Sequence, residues 1–512
     1  MTRDPIDPIA WRPSPELIAG SHLQRFMNFH GIATLDELQR RSTTDISWFW
    51  DAVLKDLGIR FHTPYSQVVD LSRGIGWPRW CVGGEMNIVA NLLDRYEGTE
   101  VADKPAIKWE GEDGAVRVLS YRALNEEVSR MAFALRSLGL GRSDVIGVLM
   151  PMVPEIVIAM LAIIKIGGIF LPLFSGYGAG AVSQRLNDAG AKALFTADGF
   201  RRKGKAYHLK VIADEAVLQS PTVKHVIVLR HLGNEGLESP VAQASRLCPP
   251  AEEHIGGAGA TSKKRFHNPD AGSAVLRRAG SKVEESDSSE YLRTGVVREQ
   301  TGCETESNLS RDYWWHELVA NAPAQSPTEI TGADETMMIL YTSGTTGKPK
   351  GAVHTHCGFP IKAAQDLLHG FDLHQDETLY WVTDMGWMMG PWLVFGTLLI
   401  GATMVLYDGA LDYPGPNRLW QMVERHRVTT LGISPTLVRL LMQAGEAPVR
   451  AHDLSSLQKF GSTGEPWNPE PWHWLFDVVG AKKLPIINYS GGTEISGGIL
   501  GGNVLSPLKP CA

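Results

Sequence analysis

The chain has 512 residues, 43% hydrophobic and 21% charged, as in an ordinary soluble globular protein of two or three domains or one large composite core. The formal net charge of −7 excludes a general electrostatic pull toward nucleic acid or an anionic membrane, although a local basic patch is still allowed. Five cysteines (Cys81, Cys248, Cys303, Cys357 and Cys511) lie far apart without metal-ligand or redox-motif spacing. An odd, scattered set argues against a disulfide framework and for a reducing cytoplasm. The N-terminal stretch "MTRDPIDPIAWRPSPEL" has no apolar signal-peptide core. The most apolar region, Val145 to Phe174, is interrupted by Pro151, Pro154, Glu155 and Lys165, so it reads as strand, helix and strand rather than a membrane span.

In chain order, residues 1–100 are rich in Trp and mix short helical and extended pieces. "DISWFWDAVLKDLGI" predicts a helix with Trp48, Phe49, Val53, Leu54 and Leu57 on its buried side. Leu124, Val128, Met131, Leu135 and Leu138 predict a second helix, starting near Ser120 and stopped by Gly139. "VIGVLM", "IFLPLF", "KALFTAD" and "VKHVIVLR" read as strands, with the helix "PEIVIAMLAIIKIGG" between the first two. Residues 101–234 therefore form the first part of a large α/β domain.

Residues 235–308 break the pattern. They are polar, short of large apolar side chains and without helical or strand periodicity, as a disordered insertion would be. Alternation resumes over 309–512. Strand "MMILYT" leads to helix "GFPIKAAQDLLHGF", strand "TLYWVTD" to helix "PWLVFGTLLIG", and strand "TMVLYD" to helix "RLWQMVERHRV". Strand "TLGIS" precedes helix "PTLVRLLMQAG", and "LQKFGS" precedes helix "PEPWHWLFDVVG" and strand "PIINYS". This order predicts parallel sheets covered by helices on both faces.

After Tyr341 the chain reads "YTSGTTGKPKG". A P-loop is rejected by spacing, because two residues separate Gly344 from Gly347 and Pro349 follows Lys348. The chemistry of phosphate binding remains. Gly344, Gly347 and Gly351 permit close backbone approach, Thr342, Ser343, Thr345 and Thr346 offer hydroxyls, and Lys348 and Lys350 add positive charge. A solvated turn is the alternative, but turn chemistry alone does not call for two lysines.

With "FGSTGEPWNPE", "NYSGGTE", "TDMGWMMGPW" and "GGEMNIVANLLDRY", this loop resembles the AMP-forming acyl-CoA synthetases of the adenylate-forming superfamily, and their acetyl-CoA synthetase-like branch most closely. The likeness runs from about residue 45 to the end, outside the insertion. It implies activation of a carboxylic acid by ATP and Mg²⁺ to acyl-AMP, then transfer to CoA, with no nucleic-acid or membrane partner. It also implies that Thr342, Ser343, Gly344, Thr345, Thr346, Gly347 and Lys348 hold phosphates. Gly464, Glu465 and Pro466 would line the adenine side, Thr493 would contact the α-phosphate, and Glu494 would hold Mg²⁺. Lys348, Thr493 and Glu494 would serve the adenylation step. Trp387, Met388, Met389, Thr463 and Gly491 fall at acyl-facing positions. Gly491 stands where acetate-using members carry a pocket-closing Trp, so propionate or a larger acid is expected. In "TADGFRRKGK", Arg202 and Lys205 match basic residues near the CoA phosphate, although an exposed basic turn would look the same.

Members of this family continue well beyond "GGNVLSPLKPCA", into a small lid domain that carries a lysine for adenylation. The resemblance therefore leads to the expectation of a C-terminally truncated enzyme, impaired alone and open to a complementing fragment. A non-catalytic nucleotide-binding remnant, and an adenylating module serving a carrier protein, are the alternatives.

Overall fold

Two large, mostly parallel sheets dominate the structure, a computed structural model that describes residues 9–233, 311–342 and 349–511. The chain divides into two compact units, Met1–Gly236 with Arg311–Ala512, and Leu237–Ser310. Every described residue belongs to the first. The expected insertion at 235–308 lies outside the described residues.

In chain order the strands begin with β1 (Gln67–Asp70), β2 (Arg79–Val82), β3 (Pro105–Gly111), β4 (Val116–Ser120), β5 (Val145–Leu149), β6 (Ile169–Pro172) and β7 (Ala193–Ala197). A short hairpin, β8 (Phe200–Arg202) and β9 (Lys205–Tyr207), precedes β10 (His225–Leu229), β11 (Asp312–Trp314), β12 (Thr336–Thr342) and β13 (Lys350–Thr355). The last are β14 (Thr378–Trp381), β15 (Thr403–Asp408), β16 (Thr430–Gly432), β17 (Lys459–Ser462), β18 (Ile486–Gly492) and β19 (Gly497–Gly501). The first sheet runs β11-β10-β7-β5-β6-β12-β13 and the second β19-β18-β17-β16-β14-β15-β3-β4.

The interior strands pair in parallel, as the alternation predicts, and so does the marginal β11 with β10, but the other three margins do not. β12 with β13, β3 with β4 and β18 with β19 are antiparallel. β13 corrects the expectation that "MMILYT" leads directly to a helix. Its segment "KGAVHT" buries only His354, so no apolar alternation marks it as a strand. Gly351 makes the pairing possible, since a Cβ there would stand 2.8 Å from Ile339 and 3.3 Å from the Tyr341 ring.

Local signals explain most helices. The Ser120 hydroxyl accepts the Ala123 N–H at 3.2 Å and caps the helix Tyr121–Ser137, and Gly139 follows it with φ +77°. Leu124, Val128, Met131 and Leu135 are its buried stripe. The helices Pro154–Lys165 and Met389–Ile400 are apolar nearly all round and buried over almost their whole length. Gly396 lets the latter approach the helix Phe359–Gln365, where a Cβ would meet the Ala363 carbonyl oxygen at 2.9 Å. Among the described residues no helix is long and apolar enough to cross a membrane.

The two sheets are joined through buried or half-buried acids near the carboxyl ends of their strands. Glu112, after β3, accepts the N–H groups of Lys203 (2.9 Å), Gly204 (2.7 Å) and Ala410 (2.9 Å), which fastens the β8–β9 turn. Ser175, beyond β6, donates to Asp384, beyond β14, at 2.7 Å. His231, beyond β10, meets Asp408 at the end of β15 at 2.7 Å.

Burial alone would push the His231 ring down in pKa, but the hydrogen bond and charge of Asp408 outweigh it and the net shift is upward. A group whose pKa rises on folding stabilises most below its unfolded value, and loses that contribution as pH climbs through the folded value. Asp408→Asn should therefore cost about 1–3 kcal/mol near pH 6 and clearly less near pH 9. Urea unfolding of both proteins at the two pH values measures the difference, and an equal cost at both would contradict the ion pair.

Candidate active site

β14, β16, β17 and β18 run parallel, so their carboxyl ends share one edge of the second sheet. The Trp381 ring lies across that edge. Gly432 and Gly461 make room for it, since a Cβ on Gly432 would stand 2.6 Å from Trp381 Cγ and one on Gly461 2.7 Å from Phe371. Ligands of open α/β sheets collect at such edges.

Beyond β17, Thr463 is half-buried, Gly464 is exposed with φ +99°, and Pro466 is exposed. The Glu465 carboxylate turns to the N-terminus of the helix Pro435–Met442, accepting the Thr436 N–H at 2.7 Å and pairing with Arg439 at 2.8 Å. Burial raises its pKa, but these two partners outweigh burial and the net shift is downward. The helix end thus gains a negative cap, a favourable place for an anion.

Beyond β18 the chain makes a single tight turn, Thr493–Ile495. Glu494 is exposed, and among the described residues its carboxylate has no hydrogen bond or ion pair. The first sheet approaches here. His354 of β13 is buried, and its Nδ1 lies 3.0 Å from the Ser496 hydroxyl. Burial lowers its pKa to about 4, with the Glu494 charge acting in the opposite direction, so the ring is neutral near pH 7. Its Nε2 has no partner among the described residues.

Thr342 ends β12 and stands opposite Lys350 of β13. Ser343, Gly344, Thr345, Thr346, Gly347 and Lys348 lie outside the described residues. The glycine- and hydroxyl-rich loop therefore connects two paired antiparallel strands. Its stem is held by the Tyr341 hydroxyl, which donates to Asp188. Through His354 and Ser496, the same stem is tied to the turn bearing Thr493 and Glu494.

On the proposed acyl side, the Trp387 ring is exposed and packs against Phe174 with centroids 5.5 Å apart. Met388 is half-buried and Met389 buried at the head of the helix Met389–Ile400. Asp384 holds the preceding turn by accepting the Gly386 N–H at 2.8 Å as well as the Ser175 hydroxyl. Burial raises its pKa, and these hydrogen bonds offset part of the rise.

Gly491 changes meaning. It pairs with Gly498 beside a register shift between β18 and β19. A Cβ there would run into the Gly497 carbonyl oxygen and stand 2.9 Å from Gly498 Cα. The glycine is demanded by strand packing as well as by any pocket it opens.

Arg202 and Lys205 are exposed and face each other at the end of the β8–β9 hairpin. Its tip is no loose turn, because Glu112 holds the backbone and Lys203 pairs with Asp412 at 2.7 Å. A cavity of about 760 Å³ lies elsewhere, lined by Asp94, Tyr96, Lys165 and Thr328 among others. There Lys165 is committed to Asp94 at 2.9 Å and Thr328 at 2.8 Å.

Sequence reasoning missed His354, Asp384 and Asp366. Asp366 is buried and accepts from Tyr489 at 2.6 Å, from Trp392 at 3.4 Å and from Lys362. Its partners lie up to 123 residues away, so no local spacing marks it. An acid in the middle of the apolar helix "PIKAAQDLL" was the available signal.

This arrangement of two mainly parallel sheets, with the β12–β13 pair tied through His354 and Ser496 to the Thr-Glu turn, defines a nucleotide-type site at a strand edge. Residues 95–510 match the AMP-binding enzyme family, and residues 35–92 match the acetyl-coenzyme A synthetase N-terminus. The chain belongs to the AMP-binding enzyme family, in the group of AMP-forming acyl-CoA synthetases. It is 33% identical over 464 residues to an acetyl-coenzyme A synthetase of Chlorobaculum tepidum, covering 90% of this chain and 57% of that one. It is 35% identical over 482 residues to one from Mycobacterium tuberculosis, covering 93% and 62%. An acetoacetyl-CoA synthetase structure from Streptomyces lividans superposes with a TM-score of 0.79 at 27% identity, covering 98% of this chain and 67% of that one. The chain thus spans rather less than two thirds of the length of these curated relatives.

Gly491→Ala should lower stability to urea by about 1–3 kcal/mol, as overpacking against backbone does. Gly180→Ala, at an open helical position with nothing within 4 Å, should instead be neutral or stabilising by up to about 1 kcal/mol. Equal behaviour of the two variants would refute the packing role of Gly491.

Proposed function

We propose that this protein activates a carboxylic acid with ATP, releasing pyrophosphate, and passes the acyl group from acyl-AMP to CoA. One observation carries the reading: the stem of the phosphate-type loop and the Thr493–Glu494 turn are tied together at a strand edge by His354 and Ser496. Thr342 and the loop residues Ser343 to Lys348 would hold the phosphates, with Gly347 among the backbone donors. Thr493 would reach the α-phosphate. Glu494, exposed and free of ion pairs among the described residues, fits the hard oxygen donor that Mg²⁺ prefers. Bound there, the ion would neutralise phosphate charge. With its carboxylate occupied by Thr436 and Arg439, Glu465 would line the adenine side with Gly464 and Pro466 through main-chain atoms.

For the acid, we favour propionate or a larger one over acetate. No side chain projects from Gly491, and the strand pairing leaves no room for one. Trp387, Met388, Met389 and Thr463 would shape the remainder. Arg202 and Lys205, on a hairpin tip braced by Glu112, would meet the CoA phosphates. The cytoplasm, with its ATP and CoA, is the compartment this reading implies.

Pyrophosphate release by the 512-residue chain should be measured with acetate, propionate, butyrate and acetoacetate. We expect kcat/KM for the best longer acid to exceed that for acetate by about tenfold or more, the scale of one added methylene or more. Preference for acetate would overturn the acid assignment, and ATP binding without pyrophosphate release from any acid would favour the non-catalytic nucleotide-binding reading over activity of this chain alone. Separately, Arg202→Ala with Lys205→Ala should raise KM for CoA several-fold, and an unchanged KM would remove the hairpin from the CoA site.

A further inference from the structure

We propose that His22, Asp372 and His374 form a binding site for one divalent transition-metal ion, zinc in particular, which staples the N-terminal helices to the loop before β14. The three ligand atoms lie within 4.8 Å of one another. His374 Nε2 and Asp372 Oδ2 are 3.2 Å apart. A tetrahedral site with bonds of about 2.0–2.2 Å spaces its ligands about 3.4 Å apart. One edge is therefore already in place, and the others close by modest rotation of the imidazoles. The two rings lie side by side, with centroids 4.2 Å apart and planes inclined by 31°.

A metal-free explanation accounts for part of this. Asp372 and His374 could be an ordinary hydrogen-bonded pair with His22 packed beside them. It leaves His22 unexplained, because both of its ring nitrogens are buried without a hydrogen-bond partner among the described residues. An imidazole always carries at least one N–H, and burying it unmet is unfavourable. Rotated into the cluster, the ring would offer a lone pair where two other donors converge.

The surroundings suit a cation held by one carboxylate. Asp372 Oδ1 accepts the His22 backbone N–H at 2.7 Å, which fixes the carboxylate against the start of the helix His22–Phe29. Two other cations act on the cluster: Arg25, which is itself paired with Asp56 at 3.2 Å, and Lys459. Its ammonium donates to the Asp372 carbonyl at 2.7 Å and is paired with Glu377 at 3.0 Å, so it adds little net charge. His374 is partly exposed, which leaves a fourth position for water. Two nitrogens and one oxygen select zinc, cobalt or nickel over Mg²⁺ or Ca²⁺. His22 lies 350 residues of sequence from Asp372, so the full ligand set exists only in the folded arrangement, which the ion would stabilise by mass action.

The test uses tag-free full-length protein, stripped with a chelator and titrated calorimetrically with zinc chloride. One equivalent should bind, and zinc but not magnesium should raise the melting temperature. Cobalt added to the wild-type chain should give the intense visible bands of tetrahedral coordination, a readout that needs no variant. His22→Ala and His374→Ala should each weaken zinc binding by more than about tenfold. Absence of zinc binding, a pale octahedral cobalt spectrum, or affinity unchanged in both variants would overturn the site.

Discussion

The architecture depends on carboxylates that are satisfied by donors from the opposite sheet. Glu112 illustrates the constraint. It is buried, it follows a strand of the second sheet, and two of its three N–H partners belong to the β8–β9 hairpin beside the first. A buried carboxylate without donors is costly, so moving the hairpin away would expose a penalty rather than merely lose a contact. Asp384 and Asp408 repeat the device with Ser175 and His231. These acids restrain the relative position of the two strand edges, and a site assembled from loops of both sheets requires that restraint.

Glycines supply the complementary freedom. Trp381 and Phe371 fill the edge of the second sheet because Gly432 and Gly461 present no side chain. Gly386 lets the turn bearing Trp387 sit against Phe174, with a Cβ approach of 2.8 Å to the Phe174 Cβ. Gly351 and Gly491 do the same for the two antiparallel margins. The loops that would meet a nucleotide are thus mounted on closely packed main chain, and their geometry depends less on flexible side chains.

Legibility from the sequence followed the range of the interactions. The helix Tyr121–Ser137 was readable because its cap, its apolar stripe and its stop lie within twenty consecutive residues. The interior strands were readable from apolar runs in alternation with helices. β13 was not, since its pairing relies on Gly351 and its exposed residues carry no strand pattern. The motif segments marked the site, but not the orientation of its side chains. Glu465 lies in an adenine-side motif, yet its carboxylate serves a helix whose Arg439 is 26 residues away. Gly491 invited a reading as an opened pocket, and only the β18–β19 register reveals the backbone it must accommodate.

The expected helix "GFPIKAAQDLLHGF" shows how a locally correct reading misses a distant consequence. The helix Phe359–Gln365 continues as a single widened turn over Asp366–Gly370. Such bulges re-aim side chains relative to a regular helix. Asp366, where the widening begins, receives hydrogen bonds from Tyr489 and Trp392. Burial, followed by the Asp366 charge, drives the Tyr489 hydroxyl far above its ordinary pKa, so it remains a donor at any physiological pH. Tyr489 lies on β18 two residues before Gly491 and four before Thr493. The position of the Thr493–Glu494 turn is therefore held from below by a helix more than a hundred residues earlier, and from the side by His354. Two independent anchors on one short strand end are what a turn with an exposed carboxylate needs in order to keep a defined position before any ligand arrives.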